Sequence, residues 1–291
     1  GYDAGIIGNH EFNYGLDYLK EAIESHHYPM LCANILGKDG KPYFGKPYEI
    51  FEKDGIKIAL LGLTTPYIPH WEKVETVKDL TFVSIVETAQ KYIPLLKEQA
   101  DVVVVSYHGG FEKDLQTGTP TEALTGENEA YELLEKVSGI DALITGHQHR
   151  EIAEVLFGVP VIQPGYRGAN LGVIELDIQK ENGHVHVKNP SARLISVKDV
   201  SPAKEITDIF HTLSPEVETW LDQTLGTVKG DMEIHDPLNA RLVEHPYIEF
   251  VNKVQMEATD TKISGTALFN NEGTGFSPTI TMRDVLTNYI Y

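Results

Sequence analysis

Asparagine and histidine recur just past short apolar runs at three places in this 291-residue chain. Gly8-Asn9-His10-Glu11 follows residues 4–7, Tyr107-His108-Gly109-Gly110 follows residues 101–106, and Gly146-His147-Gln148-His149 follows residues 141–145. Neutral imidazoles and amide oxygens are ligands for Zn²⁺, Mn²⁺ or Fe²⁺. Three such clusters, each at a strand end, therefore point to a metal site on the rim of a sheet. Asn9 and His10 are neighbours and must point different ways, so one can meet a metal while the other faces a substrate. His147 and His149, one residue apart in a loop, can straddle two adjacent ions, and Gly146 permits a sharp turn before them. Gly109 and Gly110 would give a ligand close access to the backbone beside His108.

The elements that must position these residues read as alternating strands and amphipathic helices from residue 1 to about 164. Leu16, Leu19, Ala22 and Ile23 recur at helical spacing, and Pro29 closes that helix. Residues 48–51 and 56–63 flank a Glu-Lys-Asp-Gly turn and read as a hairpin. Ser84 with Glu87 has the pattern of a capping box ahead of Ile85, Ala89, Ile93 and Leu96, although Pro94 interrupts that helix. Residues 102–105 are all valine, as expected of a strand buried on both faces. A helix over 128–137 leads to a strand at 142–145. Short strands follow at 155–157, 161–163, 171–178, 184–188 and 194–197, then helices at 202–225 and 247–258.

Composition narrows the possible partners. The chain carries 24 Lys+Arg against 43 Asp+Glu, a formal charge of −19. That excludes a phosphate-tracking role on nucleic-acid polymers, which needs basic stripes. A small phosphorylated substrate remains compatible, because bound divalent ions invert the local potential. Cys32 is the single cysteine, so neither a disulfide framework nor a thiolate metal site is available. No apolar run reaches 18 residues, so no transmembrane segment is expected. A globule of this length buries roughly 75% of its unfolded surface and needs no staple.

Asn9-His10-Glu11, His108 and Gly146-His147-Gln148-His149 resemble the later motifs of calcineurin-like metallophosphoesterases. The string GNHEFNYGLDYL, residues 8–19, is more specifically similar to bacterial 2′,3′-cyclic-nucleotide 2′-phosphodiesterases/3′-nucleotidases, relatives of the 5′-nucleotidases. Thr65-Pro66 with Trp71, the segment 126–131, Gly139-Ile140-Asp141 and Gln163-Pro164-Gly165 fit the same branch. The resemblance implies an α/β (α+β) fold: a four-layer α/β/β/α sandwich lacking its first strands, then the start of a second α/β domain. It divides the chain into a catalytic domain over 1–200, a helical linker over 201–240 and the beginning of a 5′-nucleotidase-type C-terminal substrate-binding domain over 241–291.

The same resemblance implies two divalent ions (Zn, Mn, Fe or similar), with Asn9, His108 and His147 on one and His149 on the other. His10 would be the catalytic histidine that stabilises the transition state or protonates the leaving oxygen. A metal-activated water would attack phosphorus in line. Asn13 stands where 5′-nucleotidases often carry an Asp that orients this histidine. It can hydrogen-bond His10 but cannot stabilise an imidazolium by charge.

The family's Asp-x-His and Gly-Asp motifs, which bring the carboxylates, have no match in the seven residues before Gly8. The expectation is a fragment cut at both ends, inactive alone and holding at most one ion weakly. Its missing strands would leave an exposed sheet edge and a damaged core. The parent would hydrolyse 2′,3′-cyclic nucleotides and 3′-nucleotides at an extracellular, cell-wall or periplasmic location. A 5′-nucleotidase or UDP-sugar hydrolase, and a catalytically dead binding scaffold, are the alternatives. Tyr289 and Tyr291 are candidate base-stacking rings, although apolar contacts near an element end are the commoner role for such residues.

Overall fold

Alternation along the valine run decides which face of the central sheet is closed. The computed structural model describes residues 1–181, 184–268 and 271–288, which form two units, Gly1–Val200 and Ser201–Tyr291. In the first, six strands make one sheet: β1 (Tyr48–Lys53), β2 (Ile56–Thr64), β3 (Val102–His108), β4 (Ala142–Ile144), β5 (Glu151–Leu156) and β6 (Val159–Pro164). Their spatial order is β1-β2-β3-β4-β6-β5. The four inner strands run parallel, and the edge strands β1 and β5 are antiparallel to their neighbours. This is a mixed α/β architecture.

Val103, Val105 and Tyr107 of β3, with Ala59, Leu61 and Leu63 of β2, point to one face and are all buried. There they meet helix α2 (Ile85–Lys97) and helix α3 (Ala130–Lys136), which share a core cluster with them. In α2, Ile85, Ala89, Ile93 and Leu96 form the buried stripe, each large side chain contributing about 1.5–3 kcal/mol. Pro94 lies in the last turn and does not break the helix. The Ser84 hydroxyl accepts from Val86 N as expected, but Glu87 does not complete a capping box. Glu129 takes that place: its carboxylate accepts from the Ser84 hydroxyl and from Ile85 N.

The helix-side core is closed. On the opposite face Ile58, Val104, Ile144 and Ile162 line an apolar groove of about 400 Å³ with Ile174 and Leu176. The last two come from a long hairpin, β7 (Asn170–Glu181) and β8 (His184–Ser196).

The two short strands expected at 184–188 and 194–197 are one strand. Pro190 is accommodated by a bulge, where the register shifts between Glu175 and Asp177 and Asn189 takes φ 44°. Between β5 and β6, Phe157 and Gly158 both have positive φ, as a two-residue hairpin turn requires.

A second cluster underlies the N-terminal loop. Gly5–Ile6 pairs in parallel with Met30–Leu31, and α1 (Leu16–Ser25) follows a single 3₁₀ turn, His10–Tyr14. Ile7, Phe12, Leu19, Ile35, Phe44 and Ile68 pack together there.

In the second unit the expected linker over 201–240 is helical over α4 (Lys204–Leu221) and again from Asn239, where a short helix, Asn239–Leu242, begins. Beyond α4, Thr224–Thr227 pairs with Thr279–Thr281, and Met232–Glu233 with Gly275–Phe276. Helix α5 (Pro246–Thr259) packs Tyr247 and Phe250 on Phe276.

Candidate metal centre

Parallel strands present their carboxyl ends to the same side, the usual place for a ligand site in an open α/β sheet. His108 is the last residue of β3, and its alternation places it on the face opposite Tyr107. The Asn9 loop is tied to the same end of the sheet, because the Thr64 hydroxyl at the end of β2 donates to Ile7 O. The His147 loop leaves the end of β4 and is held by Gly146 N donating to Gly109 O.

Three donors converge there. His108 Nε2 lies 2.9 Å and His147 Nδ1 3.2 Å from Asn9 Oδ1, and the two rings are 5.4 Å apart, edge to face. On its outer side His147 Nε2 is 3.0 Å from Glu127 Oε1. A carboxylate accepts only, so this contact favours the proton on Nε2, which leaves the Nδ1 lone pair for an ion placed between it and Asn9 Oδ1. Trp71 stands against the same imidazole, ring centroids 5.5 Å apart.

His10 points away from Asn9, as neighbours in a turn should, and its Nδ1 is 2.8 Å from Asn13 Oδ1. His149 stacks on Tyr166 with centroids 5.1 Å apart. Tyr289 and Tyr291 lie outside the described residues.

A model of calcineurin-like phosphoesterases matches residues 3–151, which contain Asn9, His10, Asn13, His108, Glu127, His147 and His149. The chain belongs to the calcineurin-like phosphoesterase family. A 2′,3′-cyclic-nucleotide 2′-phosphodiesterase/3′-nucleotidase of Salmonella typhimurium is 35% identical over 94% of this chain and 41% of its own length. A Staphylococcus aureus protein described as a 5′-nucleotidase, solved with α-ketoglutarate, superposes with a TM-score of 0.89. It is 43% identical over 100% of this chain and 56% of that one. A cell wall protein of Listeria monocytogenes is 24% identical over 81% of this chain and 33% of its own length. The chain spans less than half the length of the curated relatives it matches.

Calcineurin-like phosphoesterases are generally dinuclear metal enzymes. Two ligands on one ion at about 2.1 Å stand roughly 3.0–3.4 Å apart, in octahedral or tetrahedral geometry. The 2.9 and 3.2 Å separations around Asn9 Oδ1 match that spacing, so these donors fit one divalent ion. Among the described residues no group of three or more His, Cys, Asp or Glu converges as a metal site.

Two expectations about glycine change. Gly109 and Gly110 admit neighbouring side chains, not a ligand. A Cβ on Gly110 would fall 2.0 Å from Gln148 Oε1, where the Gln148 amide pairs with both backbone groups of Phe111. The turn expected of Gly146 is made by the histidines themselves, His147 at φ 67° and His149 at φ 60°. Left-handed backbone at non-glycine residues is costly, and it clusters at functional sites.

In the sequence Glu127 and Trp71 stand only as family markers, because neither contact has a local signature. Glu127 sits in a pinned loop: its carbonyl accepts from the Thr65 and Tyr107 hydroxyls, and Asn128 Oδ1 accepts from Gly110 N.

Burial, with the neighbouring His147, His10 and His149, holds the His108 imidazole down at about 4 from an ordinary 6.5. His108 is therefore neutral at physiological pH, as a ligand must be. Between those two values the unfolded chain carries a proton on His108 that the folded chain does not, so acidification favours unfolding. The expected loss from pH 6.5 to 4 is up to about 3 kcal/mol. Urea denaturation of the metal-free Trp220→Phe chain, followed at Trp71, reads it. His108→Asn should flatten this acid limb; an unchanged slope would contradict the assignment.

Proposed function

We propose that this chain carries one metal-binding half of a phosphoesterase centre for nucleotide substrates. The parent reaction is hydrolysis of 2′,3′-cyclic nucleotides and 3′-nucleotides. The convergence of Asn9 Oδ1, His108 Nε2 and His147 Nδ1 at the strand ends carries the reading. Divalent ions, when bound, polarise the phosphoryl oxygens and supply a nucleophile at neutral pH.

The chain's own residues do the rest. Asn9, His108 and His147 hold the ion, and Glu127 fixes the His147 tautomer. His10, held at Nδ1 by Asn13, keeps Nε2 for the substrate, where it stabilises the transition state or protonates the leaving ribose oxygen. Three neutral ligands bind a divalent ion weakly. The likeness to nucleotidases and to a cell wall protein supports a location outside the cytoplasm. Among the described residues no helix is long and apolar enough to cross a membrane.

Hydrolysis of bis-p-nitrophenyl phosphate with Mn²⁺ tests the division of labour. The 291-residue chain should be near background and the full-length parent active; equal turnover would overturn the half-site. With the parent, release of phosphate from 2′,3′-cyclic AMP and 3′-AMP in preference to 5′-AMP is expected. The opposite preference would favour the 5′-nucleotidase alternative.

A further inference from the structure

We propose that Glu72 is a positioning residue for His10, acting through the side-chain amide of Asn13. The Asn13 amide nitrogen donates to Glu72 Oε1 at 2.8 Å, and Asn13 Oδ1 lies 2.8 Å from His10 Nδ1. The proton assignments follow from donor and acceptor chemistry alone. A carboxylate accepts only, so Glu72 turns the NH₂ of Asn13 toward itself and the oxygen toward His10. That oxygen also accepts only, so His10 Nδ1 bears the proton and Nε2 is the nitrogen left for other partners. Without Glu72 the amide can flip, and the ring loses the reason to hold one tautomer.

Each member is placed by the fold. His10 and Asn13 are three apart in a 3₁₀ turn, where side chains at i and i+3 eclipse. Phe12 between them is buried. Glu72 ends a second 3₁₀ turn, Ile68–His70, and its N–H donates to Ile68 O at 3.1 Å. Ile68 is fully buried in the same cluster as Phe12, so both ends of the relay rest on one core, with Asn13 and Glu72 59 residues apart in sequence. His10 and Asn13 are exposed. An exposed amide–carboxylate pair adds little to stability, which leaves orientation as its consequence.

The catalytic meaning of the relay rests on the role proposed for His10, but its test does not. Long-range ¹H–¹⁵N correlation of imidazole nitrogens, on the metal-free chain above the ordinary imidazole range, reads the tautomer directly. His10→Gln assigns the signal. The parent chain should show a single Nδ1–H form at His10. Glu72→Ala should lose it to the mixed tautomers of a free ring, with the unit's thermal transition unchanged.

Asn13→Asp faces Nδ1 with a carboxylate, which accepts only, and should keep the Nδ1–H form without help from Glu72. Asn13→Asp combined with Glu72→Ala, an exchange of the relay for a direct acceptor, should therefore restore Nδ1–H. A His10 tautomer unchanged in Glu72→Ala, or not restored by the exchange, would overturn the relay. In the full-length parent, Glu72→Ala should lower kcat with KM unchanged. An ordered tautomer lost without any fall in kcat would refute the role of His10 and leave the relay standing.

Discussion

His147→Ala is expected to abolish measurable Zn²⁺ binding by this chain, with His108→Ala equivalent and Glu127→Ala intermediate. The two histidines supply two of the three donors, Asn9 Oδ1 being the third, and a divalent ion left with two neutral protein ligands has little reason to stay. Glu127 touches no ion. Through Nε2 of His147 it keeps the Nδ1 lone pair facing inward, and the loss of such an outer partner costs about 10–100-fold in metal affinity. Glu127→Gln, whose amide oxygen can still accept from Nε2, should recover part of that loss. Calorimetric titration ranks the four variants. Equal affinity in Glu127→Ala and the unaltered chain would mean that the loop Gly126–Glu129 only packs against the site.

Phe12→Ala is expected to be the most damaging single core change near the site. Phe12 is 1% exposed and lies edge-on to Phe44 at 5.6 Å, with Phe82 at 6.1 Å. Truncating a buried Phe costs about 3–5 kcal/mol, which for a unit of this size lowers the thermal midpoint by roughly 10 °C. The damage is local to function as well, because Phe12 anchors the turn that carries His10 and Asn13 and packs in one cluster with Ile7 and Ile68. Metal affinity through Asn9 should therefore fall with stability. Phe12→Leu, which keeps an apolar anchor, should cost far less. A loss below about 1 kcal/mol in Phe12→Ala would show that this cluster reorganises around the void.

The metal donors were legible because their residue types are uncommon together and each follows a strand. The parallel order of β2, β3, β4 and β6 then brings strand ends together that are far apart in sequence. Asn9 lies 99 residues from His108 and 138 from His147. Glu72 and Glu127 left no such trace. Glutamate is common on any surface, and nothing local distinguishes one that faces an amide or an imidazole from one that faces water. The capping of α2 shows the same limit: Ser84 was readable, but Glu129 reaches it from 45 residues away, where the local pattern named Glu87. Glycine was misread for a related reason. Its spacing beside His108 marks a close approach, but sequence does not say whether a ligand or Gln148 makes it. The left-handed turns at His147 and His149 lay beyond local rules, since histidine seldom adopts that backbone.

The central claim is that Asn9, His108 and His147 share one divalent ion, each through the atom named here. Titrating Zn²⁺ into the ¹⁵N-labelled chain and following the imidazole nitrogens tests it most directly. The account predicts coordination shifts at His108 Nε2 and His147 Nδ1 alone, both lost in Asn9→Ala. Coordination through His147 Nε2, or shifts confined to His149 and the surface histidines, would contradict it.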